Sequence, residues 1–320
     1  MNKFHQNKSV IVLGMHRSGT SAISGVFANM GVFMGSSLFK AQKGVNDKGF
    51  FENSHIVEIN ESLFKKLESS WDDPLGVQKD ILAFDLKTEE LKAKKLLTRE
   101  YSGKTFWGIK DPRTSVLMPF WLKVFNDLKI KPHYIIMVRH PYEVFRSLER
   151  RDGFSLEKSL ILWVHYTLAS FKNYSESEYT VLLYDNLMKD TEMCVRKFLV
   201  PVAPELLEKS GEAYAFISPD LRNHVNQYSV TSTDPINNIA LSLYQEAVKP
   251  QIDEKAIAAL HLEFDYYVQG LIGVVSEHLI SVKKDETLYR SLFDEAYLSI
   301  WWKLVGPLRV MEKKIRKLIG

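Results

Sequence analysis

The sequence predicts an α/β fold: a P-loop-like, three-layer αβα core with a mostly parallel sheet, followed by a helical C-terminal extension. Four short apolar runs, rich in β-branched and aromatic residues, have the composition of buried strands: Val10 to Leu13, Phe106 to Ile109, Tyr134 to Val138 and Thr180 to Leu183. Helical spacing of apolar residues fills the intervals. Strands that alternate with helices form βαβ units and a parallel sheet with helices on both faces. We expect the sheet to occupy roughly residues 8–200.

Two helices are the clearest of those between the strands. After the first strand, apolar residues recur at helical spacing from Ile23 to Met30, and Gly31 is placed to end that helix. A second apolar pattern of the same period runs from Leu156 to Phe171. Convincing strand patterns are few towards the C-terminus. We therefore expect a core over residues 1–203 and a helical extension, packed on the core, over residues 204–320.

Composition limits the class of protein. The chain has 320 residues and a mass of 36.9 kDa, with 45% hydrophobic and 25% charged residues. These values are typical of a globular protein with a large core and exclude collagen-like, disulfide-stapled and wholly disordered chains. The single cysteine, Cys194, cannot form an internal disulfide, and the apolar run after the N-terminus is too short for a signal peptide. We expect a cytoplasmic protein. A net charge of +3 gives no reason to expect a nucleic-acid partner.

The most informative segment follows the first strand. Gly14 and Gly19 keep the five-residue spacing of a nucleotide P-loop, in which backbone N–H groups and a helix N-terminus face an anion. The lysine that should follow the second glycine is replaced by Thr20, and the cation of the loop is Arg17. The alternative is a turn that simply requires glycines, with Ser18 as the N-cap of the helix.

A second anion site is predicted after the third strand. Arg139 ends that strand, Pro141 suits the first turn of a following helix, and Ser147 lies eight residues after the arginine. Ligands of open α/β sheets bind at the carboxyl ends of the strands, so an arginine and a serine placed there can hold one phosphate from two directions. The alternative is an arginine paired with a surface carboxylate.

Both elements resemble those of one family. The run Gly14-x-x-Arg17-Ser18-Gly19-Thr20-Ser21 is similar to the 5′-phosphosulfate-binding loop of sulfotransferases that use 3′-phosphoadenosine 5′-phosphosulfate (PAPS). The strand-end arginine, with a serine eight residues later, resembles their 3′-phosphate-binding element. Further segments look like those of bacterial members associated with cell-surface glycans: Gly49 to Asn53, Lys110 to Arg113, Tyr184 to Leu187 and Asp220 to Arg222. The resemblance covers about residues 10–225.

The resemblance implies an enzyme that moves a sulfuryl group from PAPS to an acceptor hydroxyl and releases 3′-phosphoadenosine 5′-phosphate (PAP). The favoured acceptor is a carbohydrate of a cell-surface polysaccharide or glycolipid, bound partly by the extension. The residues implied to bind PAPS are Gly14, Arg17, Ser18, Gly19, Thr20, Ser21, Arg139 and Ser147. No metal is expected, because the histidines are scattered and neither C-x-x-C nor H-E-x-x-H occurs.

Four residues are candidates for the chemistry. Arg17 would neutralise charge on the leaving oxygen, and Lys110, oriented by Asp111, would touch that oxygen or the sulfonate. Glu52 is the favoured base for the acceptor hydroxyl, since a glutamate after the phosphate loop has this role in several related sulfotransferases. His16 is an alternative base or a ligand of the sulfonate. Two further candidates for the base are His55 and Glu58.

Two other functions remain open. One is a degenerate P-loop kinase or NTPase, which requires a Mg²⁺-binding acid such as Asp185. The other is a non-catalytic protein that retains the PAPS-like cradle. The C-terminal segment from Leu298 to Arg309, with the basic residues of 313–317, combines tryptophans and cations. It is expected either to lie at the inner face of a membrane or to form a final helix with a solvated basic face.

Overall fold

Four parallel strands form one sheet. The computed structural model describes residues 4, 7–39, 49–76, 79–171, 179–209, 211–217 and 233–298. The strands are β1 (Lys8–Leu13), β2 (Phe106–Lys110), β3 (His133–Val138) and β4 (Tyr179–Leu183). Their order across the sheet is β2-β1-β3-β4. All four predicted strands are present, each within two residues of the expected ends.

The strand order creates a binding edge. In the sheet Val12 of β1 pairs with Lys110 of β2, and Leu13 pairs with Ile136 of β3, so the three strands end close together. From β1 the chain passes to β2 on one side, and from β2 it crosses to β3 on the other side. Such a reversal leaves a crevice at the carboxyl ends of the strands, which is where ligands of open α/β sheets bind.

The described part of the chain contains twelve α-helices. They are α1 (Thr20–Asn29), α2 (Ser54–Lys66), α3 (Lys87–Glu100), α4 (Arg113–Val116), α5 (Met118–Leu128), α6 (Pro141–Asp152), α7 (Leu156–Phe171), α8 (Tyr184–Lys189), α9 (Thr191–Val202), α10 (Gly211–Tyr214), α11 (Pro235–Ala247) and α12 (Glu254–Leu298). Two 3-10 helices cover Ile81–Ala83 and Pro204–Lys209.

Alternating side chains of β1 bury two separate cores. Ile11 and Leu13 pack with residues of α2, α3 and α5 on one face of the sheet. Val10 and Val12 pack with α1 and α9 on the other face. Because successive residues of a strand point to opposite faces, one apolar run fills both cores. The predicted three-layer αβα fold is confirmed.

The two helices predicted most clearly are also present. α1 ends one residue before Met30, and Gly31 follows in a left-handed conformation with φ of 91°. α7 covers Leu156–Phe171, the range that the apolar spacing indicates. Pro141 is the first residue of α6, where its fixed φ favours the helix and its missing N–H costs nothing.

Towards the C-terminus the described residues are helical. The chain divides into two units, residues 1–267 and 268–320. Within the first unit α11 packs against α6 and α7. The boundary between residues 203 and 204 stays a prediction, and residues 299–320, with the tryptophan-rich basic segment, lie outside the described part of the chain, as do residues 220–222. Among the helices described, none is both long enough and apolar enough to cross a bilayer.

Candidate functional site

The segment after β1 forms a loop between strand and helix, as predicted. Gly14 has φ of 132°, and a Cβ atom there would lie 2.5 Å from the carbonyl oxygen of Met137 on β3. The Gly14 N–H donates a hydrogen bond to Ser115 Oγ at 2.9 Å. Only glycine fits a position with this φ and this close approach of another strand. The loop is therefore held against β3 on one side and α4 on the other.

The second glycine of the loop begins α1. Gly19, with φ of 92°, is the N-cap, a position that Ser18 occupies in the alternative interpretation. A Cβ atom at Gly19 would lie 2.5 Å from Cδ2 of Tyr184. Among the described side chains none caps the first turn, which begins with Thr20 and Ser21. The partial positive charge of the helix N-terminus is therefore directed at whatever occupies the loop.

Two polar atoms of the loop are buried and have no hydrogen-bond partner among the described residues. They are Ser18 Oγ and His16 Nε2. An unsatisfied buried polar group costs about 1–3 kcal/mol, and native structures rarely leave one without a reason. A phosphate oxygen can accept from the Ser18 hydroxyl. The residues of this loop therefore fit a phosphate group.

Arg139 reaches the loop from the end of β3. Its Nη1 donates to the carbonyl oxygen of Arg17 at 3.2 Å, and its Nε donates to Glu143 Oε2 at 2.7 Å. Its guanidinium carbon lies 4.2 Å from the centre of the Tyr184 ring. The arginine does have a carboxylate partner, as the alternative requires, but that partner is buried one helical turn along α6 rather than at the surface.

Ser147 on α6 closes this side of the loop. Its hydroxyl oxygen accepts a hydrogen bond from Arg17 Nε at 2.7 Å. Arg17 adopts a left-handed conformation with φ of 69°. Burial, and after it the guanidinium groups of Arg151 and Arg139, lower the pKa of Arg17. The structure thus brings both predicted phosphate elements together, 130 residues apart in sequence at this contact.

Lys110, at the end of β2, holds the opposite side of the loop. Its ammonium group lies 2.9 Å from Ser21 Oγ, 3.0 Å from the carbonyl oxygen of Phe50 and 2.6 Å from Glu52 Oε1. An ammonium group has three N–H donors, so these three acceptors saturate it. The side chains of Lys110 and Glu52 are only 2% and 11% exposed. Lys110 therefore fixes Glu52 beside α1, and its N–H groups can reach a ligand only by exchanging a partner.

Asp111 does not have the expected role of orienting Lys110. Its carboxylate accepts hydrogen bonds from Arg113 Nε at 2.9 Å and from Asn60 Nδ2 at 2.8 Å. Arg113 also donates to Glu61 at 2.6 Å. Because successive residues of a strand point in opposite directions, neighbours at the end of β2 reach different partners. The pair that Lys110 forms is with Glu52.

Of the four candidate bases, two border the loop. Glu52 lies beside α1, and His16 belongs to the loop itself. Glu58 and His55 lie on α2 and face each other at 3.7 Å, and the Glu58 side chain is 74% exposed. The His16 ring centre lies 4.4 Å from that of Trp71. Burial, followed by the charges of nearby cations, lowers the pKa of His16 well below its usual value.

Four residues of the site were not among the candidates from the sequence, and their sequence signals differ. Glu143 lies four residues after Arg139, a spacing at which helical ion pairs form, and this signal was available. Ser115 and Trp71 come from α4 and from the segment after α2, and nothing in their local sequence connects them to the loop. Tyr184 belongs to a turn interpreted as structural from the resemblance, and it packs on both Gly19 and Arg139.

Comparison with known proteins gives structural similarity alone. No family model and no curated protein matches the sequence. The sulfotransferase domain from the Synechococcus PCC 7002 olefin synthase is 15% identical with a TM-score of 0.39, covering 83% of this chain and 98% of that one. The sulfotransferase domain from the curacin biosynthetic pathway is 14% identical with a TM-score of 0.38, covering 81% and 98%. Sulfotransferase STF9 from Mycobacterium avium is 14% identical with a TM-score of 0.40, covering 81% and 76%. Similarity at this level does not establish membership of a family.

Proposed function

We propose that this protein is a sulfotransferase that moves the sulfuryl group of PAPS to a hydroxyl group of an acceptor and releases PAP. One observation carries the proposal. Arg139 and Ser147, from β3 and α6, contact Arg17 of a phosphate loop that lacks the NTPase lysine. Two groups of side chains that are able to bind anions therefore lie side by side at the edge of the sheet. The proposal assigns one phosphate of a donor with two separate phosphates to each group.

In this proposal the loop binds the 5′-phosphate of the donor. The Ser18 hydroxyl supplies a donor that has no partner among the described residues, and the first turn of α1 supplies its N–H groups. Thr20 and Ser21 add hydroxyl groups at the same helix N-terminus. Charge-assisted hydrogen bonds of this kind are about twice as strong as neutral ones. The loop thereby fixes the leaving group before reaction.

Arg139 and Ser147 would bind the 3′-phosphate. For this, Arg139 exchanges its contact with Glu143, and Ser147 its contact with Arg17, for phosphate oxygens. A guanidinium group has five N–H donors, so Arg139 can bind a phosphate while it stays stacked on Tyr184. Glu143 then competes with the ligand for the same cation.

PAPS supplies a sulfuryl group on a phosphate leaving group. Arg17 neutralises the charge that develops on the leaving oxygen, and Lys110 contributes positive charge from behind Ser21. Loss of one such preorganised donor typically raises a barrier by about 3–4 kcal/mol. Glu52, oriented by Lys110, accepts the proton of the acceptor hydroxyl.

The acceptor is proposed to be a carbohydrate of a polysaccharide or glycolipid. Trp71 and Phe154 present two tilted rings, with centres 5.8 Å apart, next to His16 of the loop. Aromatic walls with a few polar groups are typical of small-ligand sites. We place the reaction in the cytoplasm, with the C-terminal segment at the inner membrane face. If deletion of residues 299–320 leaves membrane association unchanged, the proposal that this segment lies at the membrane is wrong.

Calorimetry tests the proposal directly. We expect PAP to bind without metal at micromolar concentration, and Arg139→Ala to weaken binding at least tenfold. Arg146→Ala is the matched control, because Arg146 lies on α6 but is half exposed and contacts Glu149. Transfer of radiolabelled sulfate from PAPS to oligosaccharides then identifies the acceptor. Preference for ATP with Mg²⁺, or equal PAP affinity in Arg139→Ala and the wild type, would overturn the sulfotransferase assignment and favour an NTPase.

A further inference from the structure

His16 is a buried histidine inside an anion-binding loop. Its Nε2 atom is inaccessible to solvent and has no hydrogen-bond partner among the described residues. The imidazole ring packs on Trp71, with ring centres 4.4 Å apart, and meets Tyr166 at 5.8 Å. The Tyr166 hydroxyl donates to the carbonyl oxygen of Trp71 at 2.9 Å, which fixes both rings. The structure thus keeps a ring nitrogen of the loop buried and without a hydrogen-bond partner among the described residues.

Cations from four elements lie near enough to this imidazole to disfavour its protonation. In order of their influence on it they are Arg113 of α4, Arg151 of α6, Lys110 of β2 and Arg17 of the loop. Carboxylates pair with three of these cations: Asp111 and Glu61 with Arg113, Asp152 with Arg151, and Glu52 with Lys110. Arg17 donates to the hydroxyl of Ser147. The net field at the ring disfavours a proton, as does burial, so both together lower the pKa of His16 and keep it neutral.

An anion on the loop reverses this field. The 5′-phosphate of PAP is a monoester that carries about 1.5 to 2 negative charges at neutral pH, and in the proposed function it lies next to residues 16–19. Opposite charge within a few ångströms favours the charged form of a histidine. An imidazolium donates from both ring nitrogens, so its Nε2–H can donate to an oxygen of that anion, which gives the nitrogen the partner it lacks. Ligand and proton should therefore stabilise each other at this position.

We propose that His16 binds the anionic donor as an imidazolium. It takes up one proton from solvent when the donor occupies the loop, and its Nε2–H then donates to a phosphate or sulfuryl oxygen of the donor. No covalent bond forms or breaks in this step. The proposal rests on the proposed function and deepens it, since it makes donor binding tighter as the pH falls towards 6. His16 is then a donor-binding residue, and the base remains Glu52.

Proton-linked calorimetry measures this uptake. PAP is titrated at pH 7 in buffers that differ in ionisation enthalpy, and the slope of heat against that enthalpy gives the protons taken up on binding. Phosphate groups of PAP titrate as well, so the quantity of interest is the difference in proton uptake between the wild type and His16→Gln. The glutamine amide can form hydrogen bonds but cannot titrate. We expect the wild type to take up more protons, by up to about one per site. His55→Gln is the control, because His55 is half exposed on α2, and it should behave as the wild type does.

The result also separates the two proposals. PAP binding with equal proton uptake in wild type and His16→Gln overturns the role of His16 and leaves the sulfotransferase assignment intact. Failure of the wild type to bind PAP overturns both. If His16→Gln does not fold, ¹³C-labelled histidine in the wild type replaces it, with His16 assigned through its backbone. Its ring resonance should move to the imidazolium position when PAP is added at pH 7, and an unchanged resonance contradicts the proposal.

Discussion

The two sides of the phosphate loop are built on different principles. On the β2 side, the closed cluster consists of Lys110, Glu52 and Ser21. On the β3 side, the open cluster consists of Arg17, Arg139 and Ser147. In the closed cluster three acceptors saturate the ammonium group, and both charged side chains are almost fully buried. In the open cluster the Arg139 guanidinium has five N–H donors, and the loop carbonyl and Glu143 each accept from one of them.

The difference separates positioning from binding. A saturated, buried ion pair gains no further hydrogen bond when a ligand binds. It does fix the positions of its partners, here Glu52 and Ser21. Guanidinium groups with shared or weak partners can exchange them for phosphate oxygens. We therefore infer that the closed cluster sets the geometry of the site and that the open cluster determines affinity for the donor.

The largest expected effect comes from breaking the closed cluster. Lys110→Met leaves the Glu52 carboxylate buried without its cation, and loss of one partner from a buried pair typically costs about 3–5 kcal/mol of folding free energy. The double variant Lys110→Met/Glu52→Gln should recover a large part of that loss, because no charge is then left uncompensated. Urea unfolding of the single and double variants measures both. A loss below about 1 kcal/mol for Lys110→Met would show that the pair is not a closed structural unit.

The next effect concerns the contact of the loop with Tyr184. Gly19 and Gly31 have almost the same φ, 92° and 91°, at opposite ends of α1. A methyl group at Gly31 meets nothing within 4 Å, whereas at Gly19 it meets the Tyr184 ring at 2.5 Å. Gly31→Ala should cost only the left-handed strain, about 1–2 kcal/mol. Gly19→Ala should cost about 1–3 kcal/mol more, from overpacking.

Thermal and urea unfolding of the two alanine variants compare these costs. Only Gly19→Ala should also weaken PAP binding, since it displaces Tyr184 from the loop and thereby moves Arg139. Equal losses of unfolding free energy in both variants would mean that the Tyr184 ring moves aside at no energetic cost.

Release of Arg139 from its internal partner should strengthen donor binding. Glu143→Gln removes the charge that competes for the guanidinium group but keeps the shape of the side chain. We expect PAP affinity to rise about three- to tenfold, equivalent to roughly 0.7–1.4 kcal/mol. Glu52→Gln, the matched change in the closed cluster, should leave PAP affinity within about twofold. Calorimetry on both variants checks the contrast, and tighter binding in Glu52→Gln would contradict the division between the clusters.

The smallest effect is expected at Ser147. Ser147→Ala removes one hydrogen bond, to Arg17 Nε, and should lower the free energy of unfolding by about 0.5–1.5 kcal/mol. It should also weaken PAP binding a few-fold, because the proposal gives this hydroxyl a place in the 3′-phosphate site. Ser62→Ala on α2, which removes a comparable hydrogen bond to Glu89 of α3, serves as the control with unchanged PAP affinity. Equal affinities in the two variants would exclude Ser147 from the binding site.

Much of the local structure could be predicted. The four strands, the α7 range and the Pro141 start of α6 follow from apolar period and from proline geometry, which depend on neighbours in sequence. The loop after β1 was equally predictable, since its glycines keep a fixed spacing. The N-cap was not, because Gly19 rather than Ser18 precedes the helix.

Pairing of charged residues was the least predictable part of the site. Lys110 was expected to work with its neighbour Asp111, and it instead pairs with Glu52, 58 residues away. Asp111 in turn binds Arg113 and Asn60. Both outcomes depend on which face of the sheet a side chain leaves and on which segment crosses there. Neither quantity is contained in the spacing of residues along one strand.

By itself, the sequence determined which chemical groups are available at the site: a strand, a glycine loop whose cation is Arg17 while Thr20 replaces the NTPase lysine, and a second cation at the end of a later strand. These features are local, since a few adjacent residues fix the backbone and the side chains available there. The tertiary structure alone decided which charged side chains pair with one another. It saturated Lys110, left Arg139 shared between the loop and Glu143, and placed His16 near four cations. The physical reason is that electrostatic energy depends on distance in space and on burial, and folding sets both between residues that are far apart in sequence.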